Sequence, residues 1–202
     1  MKRLIAISAV LALIISSLCA CSCGGSTDTS GMINIDATED DTASPDDILS
    51  WQININGVDF KVPFNSSEIG KLGYEYKTEG SVEAKKYSIG VYPQDKDGNN
   101  LSSQLWNPTD SPQPYANCLI GEIKIGLGDE KLKAILPGGF KFDDSVTADS
   151  IKKQYGKPDS EVKGKNYVML KYSKSAFRYV EFFLYTDKKM RKYSSVAIEN
   201  FS

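Results

Sequence analysis

Apolar and polar side chains take alternate positions in residues 51–56, 58–62, 87–92 and 118–127, and a period of two suits an extended chain with one buried face. Asn56-Gly57 stands between the first two runs, a favoured corner for a two-residue hairpin. In residues 118–127 the apolar set Leu119, Ile123, Ile125 and Leu127 predicts a strand with a single buried face. Three further strands are expected at residues 167–172, 179–185 and 193–201, separated by turn residues at 173–175 and 187–189. Links this short allow only antiparallel neighbours, so the C-terminal part is read as a meander.

Two short helices punctuate the strands. Asn65, Ser66 and Ser67 offer capping groups, Glu68 an early carboxylate and Gly73 a stop, enough for about two turns. Thr147 opens the second; Asp149 stands early and Lys152 and Lys153 late, as the helix dipole prefers, and Gly156 and Pro158 end it. The expected class is α+β: antiparallel sheets with short helices, arranged as two small helix-plus-meander units at residues 51–128 and 129–202.

Residues 1–20 read as a secretion leader. Met1-Lys2-Arg3 is basic, and positions 4–18 hold nothing more polar than Ser8, Ser16 and Ser17. That run is shorter than the roughly 20 apolar residues needed to span a bilayer. Leu18-Cys19-Ala20-Cys21 resembles the lipobox of bacterial lipoproteins, with an apolar residue three before the acceptor and a small one just before it. The resemblance implies that Cys21 is diacylated on sulfur and anchors the mature chain to the extracytoplasmic face of the cell membrane. Residues 21–50 are then expected to form an acidic flexible tether, since positions 22–50 carry seven carboxylates and no Lys or Arg. Only Cys118 lies in the body, where it reads as a small buried hydrophobe with no disulfide partner within the body; a bridge to Cys23 would pin the tether.

The body, residues 51–202, carries 22 basic and 19 acidic side chains, but positions 151–202 hold 12 basic against 5 acidic. A basic face on an anchored protein can meet anionic wall polymer; dispersed, solvated lysines are the plainer reading.

The run Asp143-Asp-Ser-Val-Thr-Ala-Asp-Ser-Ile-Lys-Lys-Gln-Tyr155-Gly156-Lys157-Pro158-Asp159, followed by Tyr167-Val-Met-Leu-Lys-Tyr172 and Val180-Glu-Phe-Phe-Leu-Tyr185, resembles SmpA/OmlA-type and beta-lactamase-inhibitor-like lipoprotein domains. Val62-Pro63-Phe64 with the short helix after it is similar to a pattern in uncharacterised lipoproteins of Gram-positive gut bacteria. The resemblance implies a role in binding and supplies no catalytic residues. The inhibitor-like domains are usually braced by disulfides, which this body cannot form.

The chain has no histidine, which removes Ser-His-Asp and Cys-His catalysis and histidine metal sites together. Asp95-x-Asp97-Gly98 has the wrong spacing for an EF-hand, with glycine fourth and Trp106 twelfth, and reads as a polar turn. The adjacent Asp143 and Asp144 are the pair that a histidine-free, carboxylate-dependent glycan hydrolase would use, although acids before a helix are ordinarily caps. Ser173 or Ser175 beside Lys171 or Lys174 is the remaining nucleophile arrangement.

Recognition is left. Trp106 and Tyr115 flank the proline-rich loop 107–114 and are the candidate partner-binding residues; alternatively Trp106 folds over the sheet edge as core. The expected function is therefore a lipid-anchored, non-catalytic binding protein. Its partner would be an envelope protein or anionic wall polymer, and a structural accessory of an envelope assembly is a further reading. No metal, cofactor or nucleic-acid partner is expected.

Overall fold

The Asn56-Gly57 corner closes a hairpin of β1 (Gln52–Ile55) and β2 (Val58–Lys61), paired from Gln52↔Lys61 to Ile55↔Val58. Both corner residues have positive φ, 54° and 88°, as a tight hairpin turn requires. This computed structural model describes residues 47–201; the leader, Cys21 and nearly all of the tether lie outside the described residues. Asn56 also pins the corner to a distant segment. Its amide donates to the Lys131 carbonyl at 2.7 Å and its side-chain oxygen accepts from the Lys133 N–H at 2.9 Å.

Twelve more strands follow: β3 (Phe64–Asn65), β4 (Ser81–Val82), β5 (Lys86–Ser88), β6 (Ser102–Asn107), β7 (Gln113–Pro114), β8 (Leu119–Gly126), β9 (Ala134–Leu136), β10 (Phe140–Phe142), β11 (Ser160–Lys163), β12 (Tyr167–Ser175), β13 (Arg178–Tyr185) and β14 (Ser195–Asn200). One α-helix, α1 (Ala148–Tyr155), lies between β10 and β11. A four-stranded sheet runs β10-β9-β1-β2, and an eight-stranded sheet runs β11-β12-β13-β14-β8-β6-β5 with β3 beside β8. A two-stranded ribbon joins β4 and β7. Every named strand pairing is antiparallel. Among the described residues no helix is long and apolar enough to cross a membrane.

The expected division at residue 128 separates nothing. β14 pairs with β8 and β9 pairs with β1, so both sheets draw strands from both sides of that position. The described residues belong to one compact unit with one core. Its contributors include Ile53, Ile55, Phe60 and Leu136 from the small sheet and Ile123, Leu170, Val180, Phe182 and Ile198 from the large one. The fully buried Phe182 ring lies 6.2 Å from Phe142, 6.4 Å from Tyr155 and 6.3 Å from Tyr172, joining small sheet, helix and large sheet.

Helix α1 forms where expected because its ends are satisfied locally. Thr147 and Ser150 make a reciprocal capping box, Ile151 is fully buried, and the Gly156 N–H donates to the Lys152 carbonyl. The first expected helix is instead a 3-10 turn, Ser66–Leu72. Asn65 makes no side-chain cap bond, and the buried Ser66 hydroxyl donates to the Tyr115 carbonyl at 2.6 Å, so a tertiary contact takes the hydroxyl a cap would use. The proposed similarity of the two halves fails on the same ground, since the first has no α-helix and both larger sheets mix strands from the two halves.

Two strand expectations also change. The run 87–92 is a strand only as far as Ser88; Gly90 then adopts a φ of 83°, and Ile89 is left 73% exposed. In β8, the register against β6 jumps from Gln104↔Glu122 to Leu105↔Ile120, which leaves Gly121 as a bulge. The bulge changes the phase of the strand. Cys118 and Ile120 before it, and Ile123 and Ile125 after it, therefore share the core, while Leu119 is buried apart from that cluster.

Candidate functional site

The large sheet sends Leu170, Val180, Phe182, Val196, Ile198, Ile123 and Ile125 into the core, so the alternate residues stand on its other, outer face. Cross-strand register sorts that face into bands. One row is Ser173–Tyr179–Glu199–Glu122–Gln104, and the next is Lys171–Glu181–Ala197–Lys124–Ser102. Beyond the second row come Val162, Met169, Phe183 and Ser195, then Tyr167 and Tyr185. Beyond the first row, at the opposite end, lie Phe201, Trp106 and Tyr87. Two aromatic bands thus flank a central polar and charged band.

The rings in each band contact one another. Tyr167 and Phe183 stack at 5.0 Å and 17°, and Tyr87 and Phe201 at 5.6 Å and 25°. Phe183 meets Tyr185 edge-on at 5.2 Å, and Tyr185 meets Tyr193 at 6.4 Å. A stacked pair of rings uses one face of each on the other.

The central band holds the least ordinary electrostatics. Glu122 and Glu199 stand directly opposite one another across β8 and β14, an arrangement that destabilises a sheet when both are charged. Glu199 is only 7% exposed and accepts from the Tyr179 hydroxyl at 2.6 Å. The Oε2 atom of Glu122 is buried and has no hydrogen-bond partner. Burial pushes Glu122 above the usual carboxylate range, and Glu199 and Glu181 add to it while Lys124 opposes. Burial raises Glu199 too, with Glu181 adding; the Tyr179 hydroxyl and Lys171 oppose. Lys171 places its ammonium 3.5 Å from the centre of the Tyr179 ring. Tyr179 itself is held well above the usual phenol range by burial and by Glu199.

A pH dependence follows with a definite sign. A carboxyl raised by folding holds its proton more tightly in the fold than in the unfolded chain. Its contribution to stability is therefore complete below the unfolded glutamate value of about 4.3 and is lost as pH climbs toward the raised folded value. Glu122→Gln should melt a few degrees above the parent near neutral pH and match it in mild acid. Equal melting temperatures at both pH values would remove the Glu122–Glu199 repulsion from the account.

The residues singled out from sequence fall in separate places. Trp106 joins Phe201 at 6.1 Å on the outer face, half-buried. Tyr115 packs against the main core, 6.1 Å from the Tyr76 ring, over Gly80. The two flank the same loop in sequence but join different clusters. Between them the proline-rich loop is organised by Asn107, whose side chain bonds to Val82, Glu83, Thr109 and Ser111. Cys118 is fully buried; its thiol donates to the Pro114 carbonyl at 3.3 Å, and burial pushes its pKa up to about 11.

Asp95, Asp97 and Asp143, three of the acids considered for metal or catalysis, have other engagements. Asp95 accepts from the Lys131 ammonium at 2.7 Å and from the Asp97 and Asn99 N–H groups, and Asp97 also accepts from Lys131 at 2.9 Å. The Lys131 and Asn99 bonds hold Asp95 well below the usual carboxylate range. Asp143 accepts from the Ser145 hydroxyl and N–H, which lower its pKa, and so closes the turn before α1. The Ser173 N–H and hydroxyl both point to Asp159, while the Lys171 ammonium lies over the Tyr179 ring.

Three of the basic side chains of residues 151–202 have specific engagements within the fold. Lys152 bridges Asp149 and Glu161, the Arg178 guanidinium lies over Trp51 at 5.5 Å, and Arg191 binds the Asp144 and Val146 carbonyls. A groove of about 620 Å³ crosses the small sheet between Gln52, Asn54, Lys61 and the Pro137-Gly138-Gly139 turn, and a second of about 250 Å³ adjoins it at Asp59 and Lys61. Asn54 donates to Asp59 at 2.7 Å beside these grooves. Sequence reading missed Glu122, Tyr179, Glu181 and Glu199 as a group, although the alternation marks each as lying opposite its strand's core residues. No protein-family model, curated protein or solved structure matches the chain.

Proposed function

We propose that this chain is a lipid-anchored, extracytoplasmic binding protein of α+β class, attached through Cys21, with the outer face of the eight-stranded sheet as its contact surface. The observation that carries this reading is the banding: two aromatic bands flank hydrogen-bonding and charged side chains on the sheet face opposite the core. Aromatic side chains are enriched on protein recognition surfaces, where they supply contact area. A glycan chain stacks on ring faces, and in the Tyr167–Phe183 and Tyr87–Phe201 pairs one face of each ring is already used by its neighbour. An envelope protein is therefore the favoured partner over an anionic polymer, and binding rather than hydrolysis is the role.

The test is photo-crosslinking in the native host from a probe at Met169 or Glu181 on the outer face, with Asn54 on the small sheet as the reference position. Recurrent capture of one protein from the first two positions and not from the third is the expected result. Equal capture from all three, or capture of polymer alone, overturns the assignment of this face.

A further inference from the structure

We infer that the partner of the outer face is a second copy of this chain, packed face to face about a two-fold axis that lies between the two central rows and runs parallel to them. The inference rests on the reading of that face as the contact surface. An axis so placed keeps each strand over its own counterpart and exchanges the rows. Row Tyr179–Glu199–Glu122 of one copy then covers row Glu181–Ala197–Lys124 of the other. Lys124 comes to lie over the partner's Glu122, and by symmetry Glu122 under the partner's Lys124, as an isologous interface demands.

With strands kept over their counterparts, the same operation lays Phe201 of one copy over Ser195 of the other, beside Phe183 in the cross-strand register. The competing in-plane axis, parallel to the strands, lays Glu122 and Glu199 on their own row and opposes acid to acid. Charge complementarity therefore selects the first axis. The central strands β12 to β6 and the rows between the aromatic ends span about 20 Å in each direction at ordinary strand spacing and rise. With side-chain reach, such a contact buries about 600 Å² per copy, close to the roughly 800 Å² of a standard stable interface. Face-packed sheets with nearly aligned strands are an ordinary packing mode. Tethering both copies to one membrane raises their effective concentration further.

The experiment is charge reversal with rescue, read by light scattering of the full chain over micromolar concentrations. The parent should show a concentration-dependent dimer. Glu122→Lys and Lys124→Glu should each weaken association by at least about tenfold, because like charges then face across the axis. The double exchange, E122K with K124E, should restore association to near the parent value. Melting curves of all four proteins separate misfolding from lost association, and Glu122→Lys also replaces the repulsion from Glu199 by attraction. Zero-length carbodiimide crosslinking of mixed light and isotope-labelled copies should yield Glu122–Lys124 links between copies. A parent that stays monomeric throughout, or single variants that dimerise as well as the parent, overturns the inference. If the parent is monomeric while outer-face probes capture another envelope protein, the binding-face reading stands and the second copy is excluded; if nothing is captured either, both fail.

Discussion

Asn107→Ala is expected to melt about 10 °C below the parent, a larger loss than its single amide implies. Asn107 is fully buried at the end of β6. Its Nδ2 donates to the Val82 carbonyl at 2.9 Å, to Ser111 at 2.8 Å and to Glu83 at 3.2 Å. Its Oδ1 accepts from the Thr109 N–H at 3.0 Å and hydroxyl at 2.7 Å. Alanine removes both ends of this hub and leaves at least one buried carbonyl without a donor, and each such orphaned group costs about 1–3 kcal/mol. A total of about 3 kcal/mol corresponds to roughly 6–12 °C in a domain of this size. The β4–β7 ribbon spans the same contacts, with Val82 opposite Gln113, so protease cleavage within residues 108–114 should accelerate in parallel. A shift under about 3 °C, with cleavage unchanged, would show that the loop is held by its strand pairings and not by Asn107.

What could be read from the sequence is what depends on neighbours in the chain. The β1–β2 hairpin needs only its alternation and the Asn56-Gly57 corner, and α1 needs only Thr147, Ser150 and Gly156. Strand order is a different matter, because nothing local to residues 195–199 says that they will pair with 122–126 rather than close a separate C-terminal sheet. The division at residue 128 failed for that reason. β11 went unread because its four residues, Ser-Glu-Val-Lys, are all exposed at a sheet edge and supply a single apolar position to any alternation.

The site was legible in its parts and hidden in its assembly. Trp106 was identified as a recognition aromatic, but its neighbour Phe201 lies 95 positions away in the sequence and becomes a neighbour only through the sheet. Tyr115 was grouped with it by proximity along the chain, whereas the buried end of β6 and the core side of residues 115–118 send the two rings to different clusters. The opposition of Glu122 to Glu199 likewise exists only in the register of β8 against β14. Each carboxylate alone looks like an ordinary polar position on a strand.

Gly121→Ala tests whether the bulge in β8 exists to seat the aromatic band. A methyl group at position 121 would fall 2.2 Å from Cε1 and 2.3 Å from Cδ1 of Phe201, far inside contact distance. The backbone there is not left-handed, so the constraint is the ring above it and not the chain conformation. Phe201 is held between Tyr87, stacked at 5.6 Å, and Trp106, edge-on at 6.1 Å. The ring therefore has to leave that slot or push β14 away from β8, and overpacking of this kind costs about 1–3 kcal/mol. The expected result is a melting temperature lowered by about 2–12 °C, with Trp106 fluorescence shifted to the red as its ring neighbour departs. In a Phe201→Ala background the same glycine substitution should cost almost nothing, since the obstructing atoms are gone; the coupling between the two positions then equals most of the single-variant loss. If Gly121→Ala is just as damaging without the ring, the glycine serves the strand geometry of the bulge itself. The aromatic band would then be a passenger on that bulge and not the reason for it.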